Sequence, residues 1–187
     1  LLYLAALGEM ITEKAGILNL GVEGMMAIGA VTGFVVALQT GNPWVALVAA
    51  IAAGALIGLL HGLFTVVLGA EQVVSGLSLT ILGIGLAAYM GRGSVGQPAG
   101  AELVPVDWGP LSDIPWAGPV LFQQSPLVYM AVLAGIAAWF VLGRTRLGLA
   151  VRAAGESAPT ADAAGHSVAG LRLGAVATGG ALAVPYT

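Results

Sequence analysis

The sequence has 187 residues, of which 58% are hydrophobic and only 8% charged, against about 25% charged in soluble domains. Six basic and nine acidic side chains cannot clothe a soluble domain of this length, and a net charge of -3 gives no basic footprint for nucleic acid. The lack of cysteine excludes disulfides, thiolate metal sites and cysteine nucleophiles, and the 29 glycines lie within Leu/Ala/Val stretches, as they do in membrane helices.

A spanning helix needs about 20 mostly apolar residues. Cutting the chain at its charges and proline clusters predicts six segments. Residues 1–11 read as the end of one helix, and their Glu9 and missing basic start argue against a signal peptide. Residues 17–38 are apolar except for Asn19 and Glu23. Residues 43–68 contain no Asp, Glu, Lys or Arg and form the clearest span; residues 73–91 give a fourth segment and 127–143 a fifth. A sixth starts near Val168, with Arg172 close to its beginning. The fold class is therefore all-α, a polytopic transmembrane bundle of about five to six spans.

Two connections are long. Residues 92–126 hold Pro98, Pro105, Pro110, Pro115, Pro119 and Pro126, with Trp108 and Trp116, and predict an irregular loop. Residues 144–167 are rich in Ala and Arg and predict short helices broken at Gly155 and Gly165. Arg144, Arg146, Arg152 and Arg172 are four of the six basic residues, so the positive-inside rule puts 144–167 in the cytoplasm and 92–126 outside. Alternation then puts 12–16 and 69–72 inside and 39–42 outside, with Arg92 the exception.

Gly54, Gly58 and Gly62 form a double GxxxG, and Gly29 and Gly33 a second small-residue pair; both predict close helix packing. His61, beside the first of these faces, reads as an interfacial histidine with satisfied hydrogen bonds. Glu23 reads as a carboxylate deep in a span. Insertion there costs on the order of 2.5 to 3.5 kcal/mol, so it should face the bundle interior or water. Asn19 lies one turn earlier on the same face, and Gly21 and Gly24 suit a locally broken helix, so the group either anchors the bundle or lines a path. Glu9, Glu13 and Lys14 read as a solvated interfacial cluster, and Glu71 and Gln72 as a cytoplasmic turn. The only lysine, Lys14, precedes Ala15, so the chain has no GxxxxGK[ST] phosphate loop. GHSVA at 165–169 departs from a nucleophile elbow in its last residue and follows no strand; Gly165 ending one helix and Ser167 capping the next explains it better.

Three stretches carry a resemblance. GEMITEKAGILNLGVEGMMAIGA at 8–30, VVSGLSLTILGIGLAAYMG at 73–91 and RTRLGLAVRAAGESAPTADAAGHSVAGLRLGAVATGGALA at 144–183 resemble the inner-membrane permease subunits of ABC importers for simple sugars and nucleosides, most of all the purine nucleoside type. The wider group includes branched-chain amino acid permeases. The resemblance implies a multi-pass protein of the bacterial inner membrane, embedded in lipid. Its partners would be a second permease subunit, an ABC ATPase and an extracytoplasmic solute-binding lipoprotein. The chain itself would be no enzyme and hold no cofactor, with ATP and Mg bound by the partner ATPase. The resemblance further implies that 144–167 is the coupling loop, with Arg152, Gly155, Glu156, Asp162 and Gly165 as docking positions. Asn19, Gly21, Glu23 and Gly24 match the early motif that borders the translocation path. Residues 1–187 would form one incomplete permease domain, since such permeases continue with further spans. Rival readings are a branched-chain amino acid permease, a stand-alone ion-coupled transporter, for which only Glu23 and His61 are on offer, and a membrane-anchored assembly factor.

Overall fold

A computed structural model describes residues 2–98, 103–105, 109 and 122–184, and the regular structure among them is all helical. The helices are α1 (Leu2–Lys14), α2 (Val22–Thr40), α3 (Pro43–Gly62), α4 (Gln72–Gly91), α5 (Pro126–Arg144), α6 (Arg146–Glu156), α7 (Ala158–Ala163) and α8 (Val168–Leu182). A π-turn, Leu63–Val67, extends α3, and a 3-10 turn, Arg92–Ser94, follows α4.

Four stretches are long and apolar enough to cross a membrane: Val22–Thr40, Pro43–Val67, Gln72–Ser94 and Pro126–Arg144. With the shorter apolar helix α8 beside them, they agree with a polytopic bundle of about five to six apolar segments. The 15 residues of α8 rise only about 22 Å, short of a hydrocarbon core of roughly 30 Å. Exposed aromatics lie near the helix ends, with Tyr3 on α1, Trp44 at the start of α3, Tyr89 near the end of α4 and Trp139 near the end of α5. The Arg144 guanidinium lies 5.7 Å from the Trp139 ring centre, an arrangement suited to the interface between lipid and water.

The bundle is assembled backbone to backbone. Gly54 faces the Gly180 carbonyl, Gly58 the Val176 carbonyl and Gly62 the Leu173 side chain, which sets α3 antiparallel to α8. Gly8 packs on Gly179, and Arg172 bonds Ala15 O, setting α1 antiparallel to α8 on an adjacent face of that helix. Gly24 and Gly83 touch directly, and Gly91 meets Val31, so α2 and α4 run parallel. Gly29 packs on Val184, and Gly33 is buried on the same helix. In lipid, apolar faces gain little by meeting, so the closeness that glycine permits is what holds such helices together. At the end opposite α6, Ala37, Ala46, Leu47 and Leu127 form a small apolar cluster covered by Leu103.

Capping residues define the turns. Asn42 Oδ1 accepts from the Trp44 and Val45 amides at 3.0 and 3.4 Å and Pro43 opens α3, a tight exit from α2 through the left-handed Gly41. Asn42→Ala is expected to lower stability by about 1 kcal/mol, measured as a small drop in Tm in detergent. Glu71 caps α4 through the Val73 and Val74 amides. Ser167 caps α8 through Gly170, while Gly165, at φ +83°, closes α7. The expected break at Gly155 falls two residues later. Gly155 lies in the last turn of α6, and Ser157, in extended conformation ahead of Pro159, separates α6 from α7. Of the Pro-rich loop, Pro110, Pro115, Pro119, Trp108 and Trp116 lie outside the described residues.

Candidate functional site

The helix predicted over 17–38 begins only at Val22. Two bonds end α1 at Gly16: its amide donates to Glu13 O at 2.9 Å and that of Ile17 donates to Thr12 O at 3.2 Å. With Gly16 at φ +81° this is a Schellman stop, a conformation in which a side chain would be strained. The apolar residues that follow therefore form not a helical turn but an irregular strap, 16–21, that climbs back into the bundle between α1, α3 and α4.

Every step of the strap is fastened. Gln72, at the start of α4, accepts from the Leu18 amide at 2.7 Å and donates to Gly16 O at 3.4 Å. Leu18 O accepts from His61 Nε2 at 3.2 Å. A carbonyl can only accept, so Nε2 carries the proton and, in the neutral ring, Nδ1 accepts the Ser75 hydroxyl at 3.1 Å. The Asn19 amide donates to Glu9 Oε1 at 3.0 Å, Asn19 Oδ1 accepts from the Gly21 amide at 3.1 Å, and Thr80 Oγ1 donates to Leu20 O at 2.9 Å. Irregular backbone at membrane depth survives only where protein or a polar cavity satisfies it, and here side chains of three helices do so. The strap ends opposite Gly76, and Gly24 lies opposite Leu79 and Gly83. At 1.5 Å per residue α2 therefore starts about 10 Å above the base of α4.

This geometry revises several sequence readings. Asn19 is not on the helix that carries Glu23; it is buried in the strap, 2% exposed, with Nδ2 on Met25 Sδ. Glu23 is not within a helix interior but in the first turn of α2, and its side chain is exposed. Gly21 and Gly24 are buried against α4. Glu9 is not a solvated partner of Glu13 and Lys14: the returning strap covers it and shields its Oε2, which has no hydrogen-bond partner among the described residues. His61, read as interfacial, is fully buried, and Gln72 is a strap ligand rather than part of a free turn. Periodicity concealed these roles, because ILNLG has the hydropathy of a span. Gly16 followed by Asn19, two residues that punctuate chains, was the available signal.

The loop residues divide into two sets. Glu156, Asp162 and Gly165 are exposed on α6, α7 and the turn after it. Gly155 instead packs on the Lys14 carbonyl and the Gly16 amide, where an added Cβ would be 3.1 Å from Gly16 N. Arg152 is half-buried, and its Nε has no partner among the described residues. No group of His, Asp or Glu able to hold a metal occurs among the described residues.

Residues 1–184 match the family described as "Branched-chain amino acid transport system / permease component". The chain is 41% identical over 185 residues to a protein assigned as a glucose ABC transporter permease in Haloferax volcanii, covering 97% of this chain and 56% of that protein. It is 33% identical over 195 residues to the nucleoside ABC transporter permease of Lactococcus lactis (97% and 60%). It is 35% identical over 185 residues to the guanosine ABC transporter permease of Bacillus subtilis (91% and 57%). The chain thus spans little more than half the length of these relatives. No solved structure matches it.

Proposed function

The chain belongs to the branched-chain amino acid transport system / permease component family, and on that premise we propose that it forms part of the permease subunit of an ATP-driven importer of nucleosides or simple sugars. It is a multi-pass membrane protein, and its family consists of transport rather than catalytic subunits. ATP and Mg would be handled by a separate ATPase, with a second permease subunit beside the chain and a solute-binding protein outside. The names of the relatives favour sugars and nucleosides over branched-chain amino acids, which the family description keeps as the second reading.

The observation that carries this reading is the α6–α7 unit. Two short helices hang between the membrane-length α5 and the shorter apolar α8, with Glu156 and Asp162 exposed. A mere connector would need neither the helices nor the attachment of α6 to the end of α1. This unit serves as the docking element for the ATPase, with Arg152, Glu156, Asp162 and Gly165 toward the partner and Gly155 toward the bundle. Asn19, Gly21, Glu23 and Gly24 border the translocation path, supported by the strap's irregular backbone and the exposed first turn of α2.

Glu156→Lys tests the docking role. Glu156 ends α6, where the helix dipole disfavours an acid, so lysine there should leave the helix intact or firmer by about 0.3–1 kcal/mol. The expected result is loss of ATP-dependent uptake of guanosine and glucose by about tenfold or more, with unchanged membrane abundance and binding-protein capture. Wild-type uptake in this variant would remove the docking assignment.

A further inference from the structure

Three helix ends converge at one point. Arg172, near the start of α8, donates Nε to Ala15 O and Nη2 to Ala154 O, each at 3.2 Å. These acceptors belong to the terminal carbonyls of α1 and α6, the negative ends of two helices, and the cation sits between them. Beside it the two glycine backbones meet: a Cβ on Gly16 would lie 3.0 Å from Gly155 Cα and 3.3 Å from Arg172 Nη2. Neither glycine leaves room for slack, and Gly16 is the first residue of the strap.

We propose that Arg172, with the Gly16–Gly155 contact, is the joint that passes movement of α6 and α7 to the strap 16–21 and so to the start of α2. The inference rests on the importer reading above. Close-packed backbone does not compress, so a displacement of Ala154 and Gly155 must carry Ala15 and Gly16 with it or break the guanidinium bridge. Beyond Gly16 the strap has no loose link, because Leu18 is held by Gln72 and His61, Asn19 by Glu9 and Leu20 by Thr80. Motion entering at Ala15 therefore reaches the α2–α4 contact at Gly24 and Gly83 rather than dissipating in a flexible turn. Arg172 is a positioning residue here: it touches no solute and holds the linkage in register.

The test uses the native complex of complete permease, ATPase and binding protein in proteoliposomes, with guanosine and glucose as probes. For Arg172→Ala, uptake and stimulation of ATP hydrolysis by loaded binding protein are expected to fall about tenfold or more. Basal hydrolysis and co-purification of the ATPase are expected to stay within about twofold of wild type, a split that loss of folding would not produce. A lysine has one nitrogen in place of the guanidinium fork and does not reproduce the two-pronged geometry, so Arg172→Lys should give the same split at about threefold, and it carries the test if the alanine variant fails to accumulate. Wild-type uptake and stimulation in the variants would overturn the proposal, as would parallel loss of the ATPase from the complex, which would make Arg172 a docking scaffold only. The wild-type complex reports separately on the importer reading. Absence of ATP-dependent uptake of both probes there rejects that reading and the joint with it, whereas a coupled wild type with coupled variants rejects the joint alone.

Discussion

Gly58→Leu is expected to prevent stable assembly of the bundle. A Cβ at this position would lie 2.5 Å from the Val176 carbonyl oxygen and 3.4 Å from Gly180 Cα, both backbone atoms of α8. A crowding side chain can rotate away, but a helix carbonyl cannot, so α8 as a whole would have to withdraw. That withdrawal would also open the Gly54–Gly180 contact and, through α8, the Gly8–Gly179 contact with α1. Overpacking a well-filled core costs typically about 1–3 kcal/mol; a backbone clash at the centre of the α3–α8 interface should reach or exceed the top of that range. The measurement is the yield of monodisperse protein in detergent and its Tm. Gly85→Leu is the matched control, since Gly85 is exposed on α4 with nothing within 4 Å, and it should behave as wild type or better. Equal Tm values for Gly58→Leu and wild type would refute the interface.

The second large effect is expected at His61. His61→Leu leaves the part-buried Leu18 O and the buried Ser75 hydroxyl without their partner, and each orphaned group costs up to about 1–3 kcal/mol. Loss of stability should therefore approach the sum of the two, while Ser75→Ala, which leaves the Leu18 contact in place, should cost about 1 kcal/mol. The decisive readout is local. Amide exchange at Leu18 and Asn19 should accelerate in His61→Leu and remain slow in Ser75→Ala. Unchanged protection in both would show that the strap is held without the histidine.

The fold was legible where composition and punctuation agree. The charge-free run after Pro43 and the run after Pro126 became α3 and α5 with nearly the expected ends, because proline opens a helix and lipid demands an unbroken apolar stretch. Hydropathy failed over Ile17–Gly21, where it cannot distinguish an apolar helix from an apolar strap held by side chains. The site suffered for the same reason. Asn19 was singled out as a residue of consequence, but its partner Glu9 sits ten positions earlier and was read as solvated, since only the return of the chain at Gly16 brings the two together. Arg172 was counted as a charge that marks the cytoplasmic face. Its contacts are to main-chain carbonyls, which no side-chain pattern records.

Those main-chain contacts have a consequence for how this family can be read across its members. Because Arg172 grips the carbonyls of Ala15 and Ala154, the bond itself does not depend on which side chains stand there; both alanines are fully buried, so packing alone keeps those positions small. The linkage would leave no trace as a pair of co-varying columns in an alignment of relatives. It would show instead as an invariant arginine facing two positions held only to small residues, with invariant glycines at 16 and 155 beside it.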